Sequence, residues 1–101
     1  MQNLSERQFK DDYLYSFFKY GTPHSKIPST LTTVLARKLD MINAANNIND
    51  LRAPPANRLE LLEPKQNKIY SIRVNKQYRL IFKYSDNEFS KITLDPHNYD
   101  L

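Results

Sequence analysis

Apolar and polar residues alternate along residues 70–84, and a short polar break interrupts the alternation near its middle. This pattern is typical of two half-buried β-strands joined as a hairpin. A loop of only Lys76 and Gln77 would mix arginines with apolar residues on both faces, whereas a three-residue loop that includes Asn75 gives one wholly apolar face. Burial favours the longer loop, and Asn75 tolerates the left-handed conformation that such loops often need.

The predicted register gives the hairpin one face for the core and one face for solvent. Arg73 and Arg79 lie side by side on the solvent face, and Lys83 lies further along the second strand. The residues that share the solvent face are Ile69, Ser71, Arg73, Arg79, Ile81 and Lys83. The residues that share the apolar face are Tyr70, Ile72, Val74, Tyr78, Leu80, Phe82 and Tyr84.

Two helices are predicted in the first half of the chain. The first covers residues 11–20, with Asp11 as its N-cap and Gly21, the only glycine, as the left-handed residue that ends it. The second covers residues 29–46, where apolar residues recur at helical spacing and form one continuous stripe. The residues that fall off this stripe and are expected in solvent are Arg37, Lys38 and Asp40.

A further strand is predicted before the hairpin, at residues 58–62. Its alternating polarity points Leu59 and Leu61 toward the core. Arg58 and Glu60 then point to the solvent face of the sheet, on the same side as the hairpin arginines.

The last predicted strand covers residues 89–95 and follows a polar turn. Residues 1–8 carry little pattern, and they hold either a short edge strand or no ordered element. The element order predicts a single α+β domain of residues 1–101, with two N-terminal helices packed on one face of a four-stranded, mainly antiparallel sheet. The residues of the last strand that share the arginine face are Lys91, Thr93 and Asp95.

The composition excludes several classes of protein. A chain of 101 residues without cysteine has one modest core and no disulfide or thiolate chemistry, and a reducing cytoplasm is its natural setting. No apolar run is long enough to span a membrane, and no basic-then-apolar signal segment is recognisable. His24 and His97 are too few for a histidine-based metal site and no carboxylates are spaced for one, so neither a metal nor a cofactor is expected.

The net charge of +4 is concentrated in one part of the chain. Residues 58–91 contain eight Lys or Arg and four Asp or Glu, so the remainder is neutral. A phosphate backbone is one partner for such a basic sheet, and a solvated face that only maintains solubility is the other interpretation. Charge alone favours neither.

The predicted topology also brings a chemically useful set of side chains to the face opposite the helices. Guanidinium groups bind a phosphodiester in a bidentate manner and stabilise a pentacoordinate transition state. A carboxylate or an imidazole can take a proton from a ribose 2′-hydroxyl and return one to the leaving 5′-oxygen. Because surface pairs of this kind are common and usually inert, spacing alone is a weak indication of a ribonuclease. The set comprises Arg58, Glu60, Arg73, Arg79, Asp95 and His97.

Two sequence strings are far more specific than these charge pairs. Residues 51–62 read LRAPPANRLELL, and residues 71–82 read SIRVNKQYRLIF. Together with Lys38-Leu39 they resemble the HigB branch of the RelE toxin superfamily, over residues 17–97. The resemblance implies a fold similar to small microbial ribonucleases and metal-independent cleavage of mRNA in the A site of the 70S ribosome. It also implies neutralisation by a HigA-type helix-turn-helix antitoxin, with operator DNA bound only through that antitoxin.

The resemblance assigns roles to individual residues. Arg73 and Arg79 correspond to the family's arginines and would bind the scissile phosphate, while Arg58 would bind the RNA backbone. Glu60 is either a general base or a residue that orients an arginine. Family members usually end in Asp-Tyr-His, and the corresponding residues here are Asp95-Pro96-His97, so a proline replaces the tyrosine. The other residues expected to bind RNA are Lys76, Lys83 and Lys91.

Two other functions agree with the same residues. The chain could be a growth inhibitor that binds the ribosome or RNA but cleaves weakly, because the family tyrosine is replaced. It could also act mainly as a corepressor bound to its antitoxin on DNA. Loss of cleavage with retained ribosome binding, on replacement of His97, would distinguish a nuclease from a binding protein.

Overall fold

The computed structural model describes residues 3–63 and 67–96 of the chain. The helices are α1 (Asp12–Tyr20) and α2 (Thr32–Ala44), and the strands are β1 (Glu60–Glu63), β2 (Ile69–Arg73), β3 (Arg79–Ser85) and β4 (Glu88–Asp95). Neighbouring strands are antiparallel, and their order in the sheet follows their order in the chain. The predicted α+β fold, with two helices before a four-stranded sheet, is confirmed.

Both helices lie where the sequence predicted them, with shifted ends. Gly21 ends α1 in the left-handed conformation, with a φ of 74°. Asp11 occupies the N-cap position, but its carboxylate accepts a hydrogen bond from Thr93 Oγ1 instead of capping the helix. α2 is shorter than the predicted span because Ser29–Leu31 form a 3-10 turn and Ala45 is extended.

The hairpin of β2 and β3 has the register that burial predicted. Arg73 lies directly opposite Arg79, and the Val74 N–H donates a 2.9 Å hydrogen bond to the backbone oxygen of Tyr78, so residues 75–77 form the predicted three-residue loop. The left-handed backbone expected at Asn75 is not found. Instead, Asn75 Oδ1 accepts hydrogen bonds of 2.8 Å from the backbone N–H groups of both Gln77 and Tyr78. The asparagine therefore closes the loop through its side chain, as in an Asx turn.

The helices cover one face of the sheet and form the core with it. The buried apolar side chains of this core include Leu14, Leu35, Leu39, Ile42, Ile72, Leu80, Phe82 and Ile92. Truncating one such side chain to alanine costs about 2–5 kcal/mol, because the transfer free energy is lost and a cavity remains. This packing fixes the strands, and thereby the positions of the polar side chains on the opposite face.

The N-terminal segment packs along the outer edge of β4. Gln8 is buried, and its Nε2 donates a 2.8 Å hydrogen bond to the backbone oxygen of Phe89. A 3-10 turn at Glu6–Gln8 precedes Phe9, which forms an isolated parallel bridge with Ile92. Residues 3–8 are therefore ordered without adding a strand, and they protect part of an edge that would otherwise be open to pairing.

β1 differs from its prediction in two ways. It begins at Glu60, because Pro55–Asn57 form a 3-10 turn after which Arg58 is left-handed. Leu61 faces the same side of the sheet as its partner Tyr70, but it is 48% exposed. The expectation that it joins the core was wrong, because β1 is an edge strand at the margin of the packed region.

Candidate functional site

The polar face of the sheet carries a row of charged side chains across three strands. Arg79 on β3 lies directly opposite Arg73 on β2 and directly opposite Asp95 on β4. Residues that face each other on neighbouring strands have Cβ atoms about 5 Å apart. The structure therefore brings two guanidinium groups and one carboxylate, all identified from the sequence, into one small region.

Arg79 is held from two sides. Its Nη1 donates hydrogen bonds to Glu60 Oε1 at 2.6 Å and to Ser71 Oγ at 2.7 Å. The Arg79 side chain is only 14% exposed, the Glu60 side chain is 54% exposed, and Ser71 is buried. A guanidinium oriented in advance loses less conformational entropy when it binds an anion. The contribution of Ser71 was missed from the sequence, where its place on the arginine face was the available signal.

A basic cleft, here called the arginine cleft, opens beside this row. Its volume is about 310 Å³, and its lining residues in the described part of the chain are Arg58, Arg73, Lys76 and Arg79. Arg73 Nε donates a 3.2 Å hydrogen bond to the backbone oxygen of Asn75, which ties this guanidinium to the hairpin loop. Four cationic side chains around a cavity at the small end of the range for ligand pockets suit a compact anion.

Arg58 enters the arginine cleft from a strained backbone conformation. Its φ of 47° and ψ of 53° are left-handed, which costs a non-glycine residue about 1–2 kcal/mol. The Arg58 N–H donates a 3.0 Å hydrogen bond to the backbone oxygen of Pro55, which closes the preceding 3-10 turn. A glycine would adopt this conformation without strain, so an arginine here points to a role for the side chain.

A buried polar pair holds the loop that leads to Arg58. Lys38 of α2 is 6% exposed, and its Nζ donates a 2.5 Å hydrogen bond to Asn57 Oδ1. Asn57 is fully buried, and its Nδ2 donates to the backbone oxygens of Leu51 at 3.1 Å and Ala53 at 3.4 Å. This arrangement, called the Lys38–Asn57 clamp below, connects α2 to the loop that supplies one wall of the arginine cleft.

The prediction that Lys38 is solvated was wrong. Burial lowers the pKa of this lysine, and the charge of the adjacent Arg37 lowers it further. The long aliphatic stem of a lysine can pass an apolar stripe and place its ammonium beyond it, here against Asn57. Helical periodicity does not reveal that Asn57 is the partner of Lys38. The only indication of a role for Asn57 in the sequence was its position next to Arg58 in the string of residues 51–62.

Two of the residues predicted to bind RNA, Lys83 and Lys91, lie away from the arginine cleft. Lys83 shares the face of Arg79 but lies four positions along β3, about 13 Å away at the rise of an extended strand. Lys91 is exposed, has a φ of 53° and stands where the pairing of β3 with β4 is irregular. His97 lies outside the described residues, so its place beside Asp95 stays a prediction. Within residues 3–63 and 67–96, no three His, Asp or Glu side chains form a group that could hold a metal ion.

Comparisons of the sequence with known proteins show which proteins the chain is similar to. The family model described as "RelE-like toxin of type II toxin-antitoxin system HigB" matches residues 7–97. An uncharacterized protein of Haemophilus influenzae is 70% identical over 101 residues, which cover 100% of both chains. Toxin HigB-1 of Vibrio cholerae is 47% identical over 92 residues, which cover 91% of this chain and 97% of that toxin. The span matched by the family model contains the residues of the arginine cleft and of the clamp.

Proposed function

The chain belongs to the HigB-like family, the RelE-like toxins of type II toxin–antitoxin systems, and on that premise we propose that it is a ribosome-dependent endoribonuclease that cuts mRNA in the ribosomal A site. The family resemblance predicted from the two sequence strings is confirmed. The chain is thus the toxin of a toxin–antitoxin system, and a toxin of this kind implies an antitoxin partner.

The arrangement of Arg79 is the observation that carries the proposal. Its guanidinium is fixed by Glu60 and Ser71, and it stands opposite Arg73 at the arginine cleft. Two guanidinium groups can bind the non-bridging oxygens of one phosphodiester and stabilise the negative charge that grows in the transition state. Since the arginines supply this positive charge, the proposed reaction is metal-independent.

The proposed reaction is an internal transesterification. The ribose 2′-oxygen attacks phosphorus, the bond from phosphorus to the 5′-oxygen breaks, and a 2′,3′-cyclic phosphate and a 5′-hydroxyl result. One group takes the proton of the 2′-hydroxyl and another gives a proton to the leaving 5′-oxygen. Asp95, opposite Arg79, and His97 are the proposed proton-transfer residues. The sequence left two roles open for Glu60, general base and orientation of an arginine. Because Glu60 Oε1 accepts a 2.6 Å hydrogen bond from Arg79 Nη1, we assign it the orienting role.

The proposed partners follow from the family. They are a HigA-type helix-turn-helix antitoxin, through which operator DNA is bound, and the 70S ribosome with its mRNA. The proposed site of action is therefore the cytoplasm. In the described part of the chain, no helix combines the length and the apolar character needed to cross a bilayer.

The test is mRNA cleavage in a purified translation system, with and without ribosomes, with both new RNA ends mapped. We expect cuts within codons only when ribosomes are present, and 2′,3′-cyclic phosphate ends. Arg79→Ala should abolish the cuts. Lys19→Ala is the matched control, because it removes one positive charge from an exposed position on α1, outside the arginine cleft.

Each outcome decides between named functions. Intact mRNA together with ribosome binding and arrested translation would overturn the nuclease and favour a ribosome-binding inhibitor. Intact mRNA without ribosome binding, together with operator binding by the toxin–antitoxin complex, would favour a corepressor. Equal loss of cleavage in Arg79→Ala and Lys19→Ala would show that net charge, rather than the fixed arginine, is responsible.

A further inference from the structure

A second cleft, here called the corner cleft, lies at the end of the β3–β4 ladder. Its volume is about 460 Å³, and its described lining residues are Asp11, Tyr13, Lys26, Tyr78, Thr93, Leu94 and Pro96. Its lining comes from α1 and its N-cap, the loop after α1, the residue before β3, and the end of β4 with the residue that follows it. None of these lining residues has a part in the arginine cleft.

The corner cleft and the arginine cleft flank the same end of the sheet. Tyr78 immediately precedes Arg79, and successive side chains on a strand point to opposite faces. Pro96 immediately follows Asp95, which lies opposite Arg79. A flexible polymer bound in the arginine cleft and turning around the end of β4 therefore reaches the corner cleft next.

The chemistry of the corner cleft is aromatic and mixed in charge. The rings of Tyr13 and His24 stack with their centroids 4.4 Å apart and an interplanar angle of 22°. Lys26 Nζ lies 5.7 Å from the centroid of Tyr13, and the Lys26 backbone N–H donates a 3.0 Å hydrogen bond to His24 Nδ1. Tyr78, which is half-buried, supplies a second ring. This combination of rings and a cation is typical of surfaces on which nucleobases stack.

The polar groups of the corner cleft suit a base better than a phosphate. Asp11 Oδ2 accepts a 2.5 Å hydrogen bond from Thr93 Oγ1, so this carboxylate is fixed at the wall of the cleft. A carboxylate repels phosphate but accepts hydrogen bonds from exocyclic amino groups. Burial raises the pKa of Tyr13, and Asp11 and Tyr78 raise it further, so the Tyr13 hydroxyl stays protonated and available as a donor.

We propose that the corner cleft binds one nucleobase of the single-stranded RNA substrate, next to the nucleotide whose phosphate occupies the arginine cleft. This inference rests on the proposed ribonuclease function. The stacked pair of Tyr13 and His24 and the ring of Tyr78 provide the aromatic surface. Lys26 donates to ring or carbonyl acceptors of the base, and Asp11 accepts from an amino group. Adenine, guanine and cytosine carry such an amino group and uracil does not, so the cleft discriminates against uracil at this position.

The first test measures cleavage on programmed ribosomes that carry mRNAs differing in a single base beside the cut. Tyr13→Leu should raise KM at least about fivefold, the lower end of the effect of losing one base–aromatic stack, with kcat within about twofold. Tyr20→Leu is the matched control, because Tyr20 also lies on α1 but is 73% exposed and outside both clefts. Asp11→Asn should lower the ratio of kcat/KM for an amino-bearing base to kcat/KM for uracil, because an amide donates hydrogen bonds as well as accepting them.

The second test does not depend on cleavage. The wild-type protein is titrated with a short single-stranded RNA made uncleavable by 2′-deoxy substitution, and ring protons are followed by NMR. We expect the Tyr13 and Tyr78 resonances to shift and saturate while those of Tyr20 do not, and we expect Lys26→Gln to weaken the response. Shifts that appear only when the antitoxin is added would assign the corner cleft to that protein and overturn the inference.

The two tests separate this inference from the function on which it rests. If the wild type does not cleave mRNA but the Tyr13 resonances shift and saturate, the base site is supported and the nuclease function is overturned. If the wild type cleaves mRNA, but Tyr13→Leu has an unchanged KM and Asp11→Asn has the same base preference, the base site is overturned and the nuclease function is supported. If Tyr13→Leu and Tyr20→Leu differ in melting temperature, their KM values are not comparable, and the results for Lys26→Gln and Asp11→Asn decide whether the base site exists.

Discussion

Replacing Lys38 by methionine tests how much the Lys38–Asn57 clamp, which holds the loop before Arg58, stabilises the fold. Methionine retains most of the aliphatic stem but removes the ammonium that donates to Asn57 Oδ1 at 2.5 Å. A hydrogen bond from a charged donor contributes about 1.5–3 kcal/mol, and an orphaned buried acceptor adds a cost of similar size. Removing a desolvated charge offsets part of this loss. We therefore expect Lys38→Met to lower the free energy of unfolding by about 2 kcal/mol, or Tm by roughly 10 °C.

The pH dependence of this effect has a definite sign. Because the pKa of Lys38 in the folded chain lies below its ordinary value of 10.5, the unfolded chain retains the proton to higher pH. The free energy of unfolding of the wild type therefore rises with pH between the lowered pKa and 10.5. Lys38→Met lacks this contribution, so the stability difference between the two proteins should widen as pH rises through that window. Urea unfolding of both proteins, at neutral pH and within the window, measures it.

Asn57→Leu and the double variant complete the test. Asn57→Leu also removes the donors to Leu51 and Ala53, so it should destabilise the fold more than Lys38→Met does. The double variant should lose about 1–2 kcal/mol less than the sum of the single losses, because the acceptor is no longer orphaned. Arg37→Met, at the adjacent exposed position, should change stability by less than about 0.5 kcal/mol. Additive losses, or a stability difference that narrows with rising pH, would refute the clamp.

Three further predictions concern the arginine cleft. Arg58→Gly and Arg58→Ala should reduce cleavage equally, because both remove the guanidinium. The glycine variant should be more stable than the alanine variant by about 1 kcal/mol, because glycine adopts the left-handed backbone without strain, and equal melting temperatures would contradict this. Glu60→Gln keeps an acceptor for Arg79, so the cleavage rate in single-turnover assays should fall no more than about tenfold. A loss of more than about 100-fold would instead identify Glu60 as the general base. Arg73→Gln should reduce the slope of log affinity against log salt for single-stranded RNA by about 0.7, and an unchanged slope would show that Arg73 makes no phosphate contact.

The sheet could be predicted closely because its register is a local property. A shift of one residue would have moved the apolar set of the hairpin to solvent, so burial selected the pairing of Arg73 with Arg79. Glu60 was placed on the correct face by alternation alone, and its contact with Arg79 follows from that placement. These parts of the site needed only strand periodicity and loop length.

Other parts of the site depend on tertiary contacts that periodicity does not encode. Lys38 was expected in solvent because it lies off the apolar stripe, yet the loop before β1 folds over it and supplies Asn57 as a partner. Arg58 was expected to extend β1, but the 3-10 turn before it imposes a left-handed backbone. The corner cleft is formed by segments distant in sequence, with Asp11 and Thr93 82 residues apart, so no local pattern indicated it.

The contact between the N-terminal segment and β4 joins residues that are synthesised early to residues that are synthesised late. Gln8 donates to the backbone oxygen of Phe89 across 81 positions, and Arg79 lacks its neighbour on β4 until residue 95 has been added. Contacts of such long sequence separation form late and slowly. A nascent chain that already contains both hairpin arginines therefore still has an open β3 edge, and Arg79 does not yet have Asp95 opposite it.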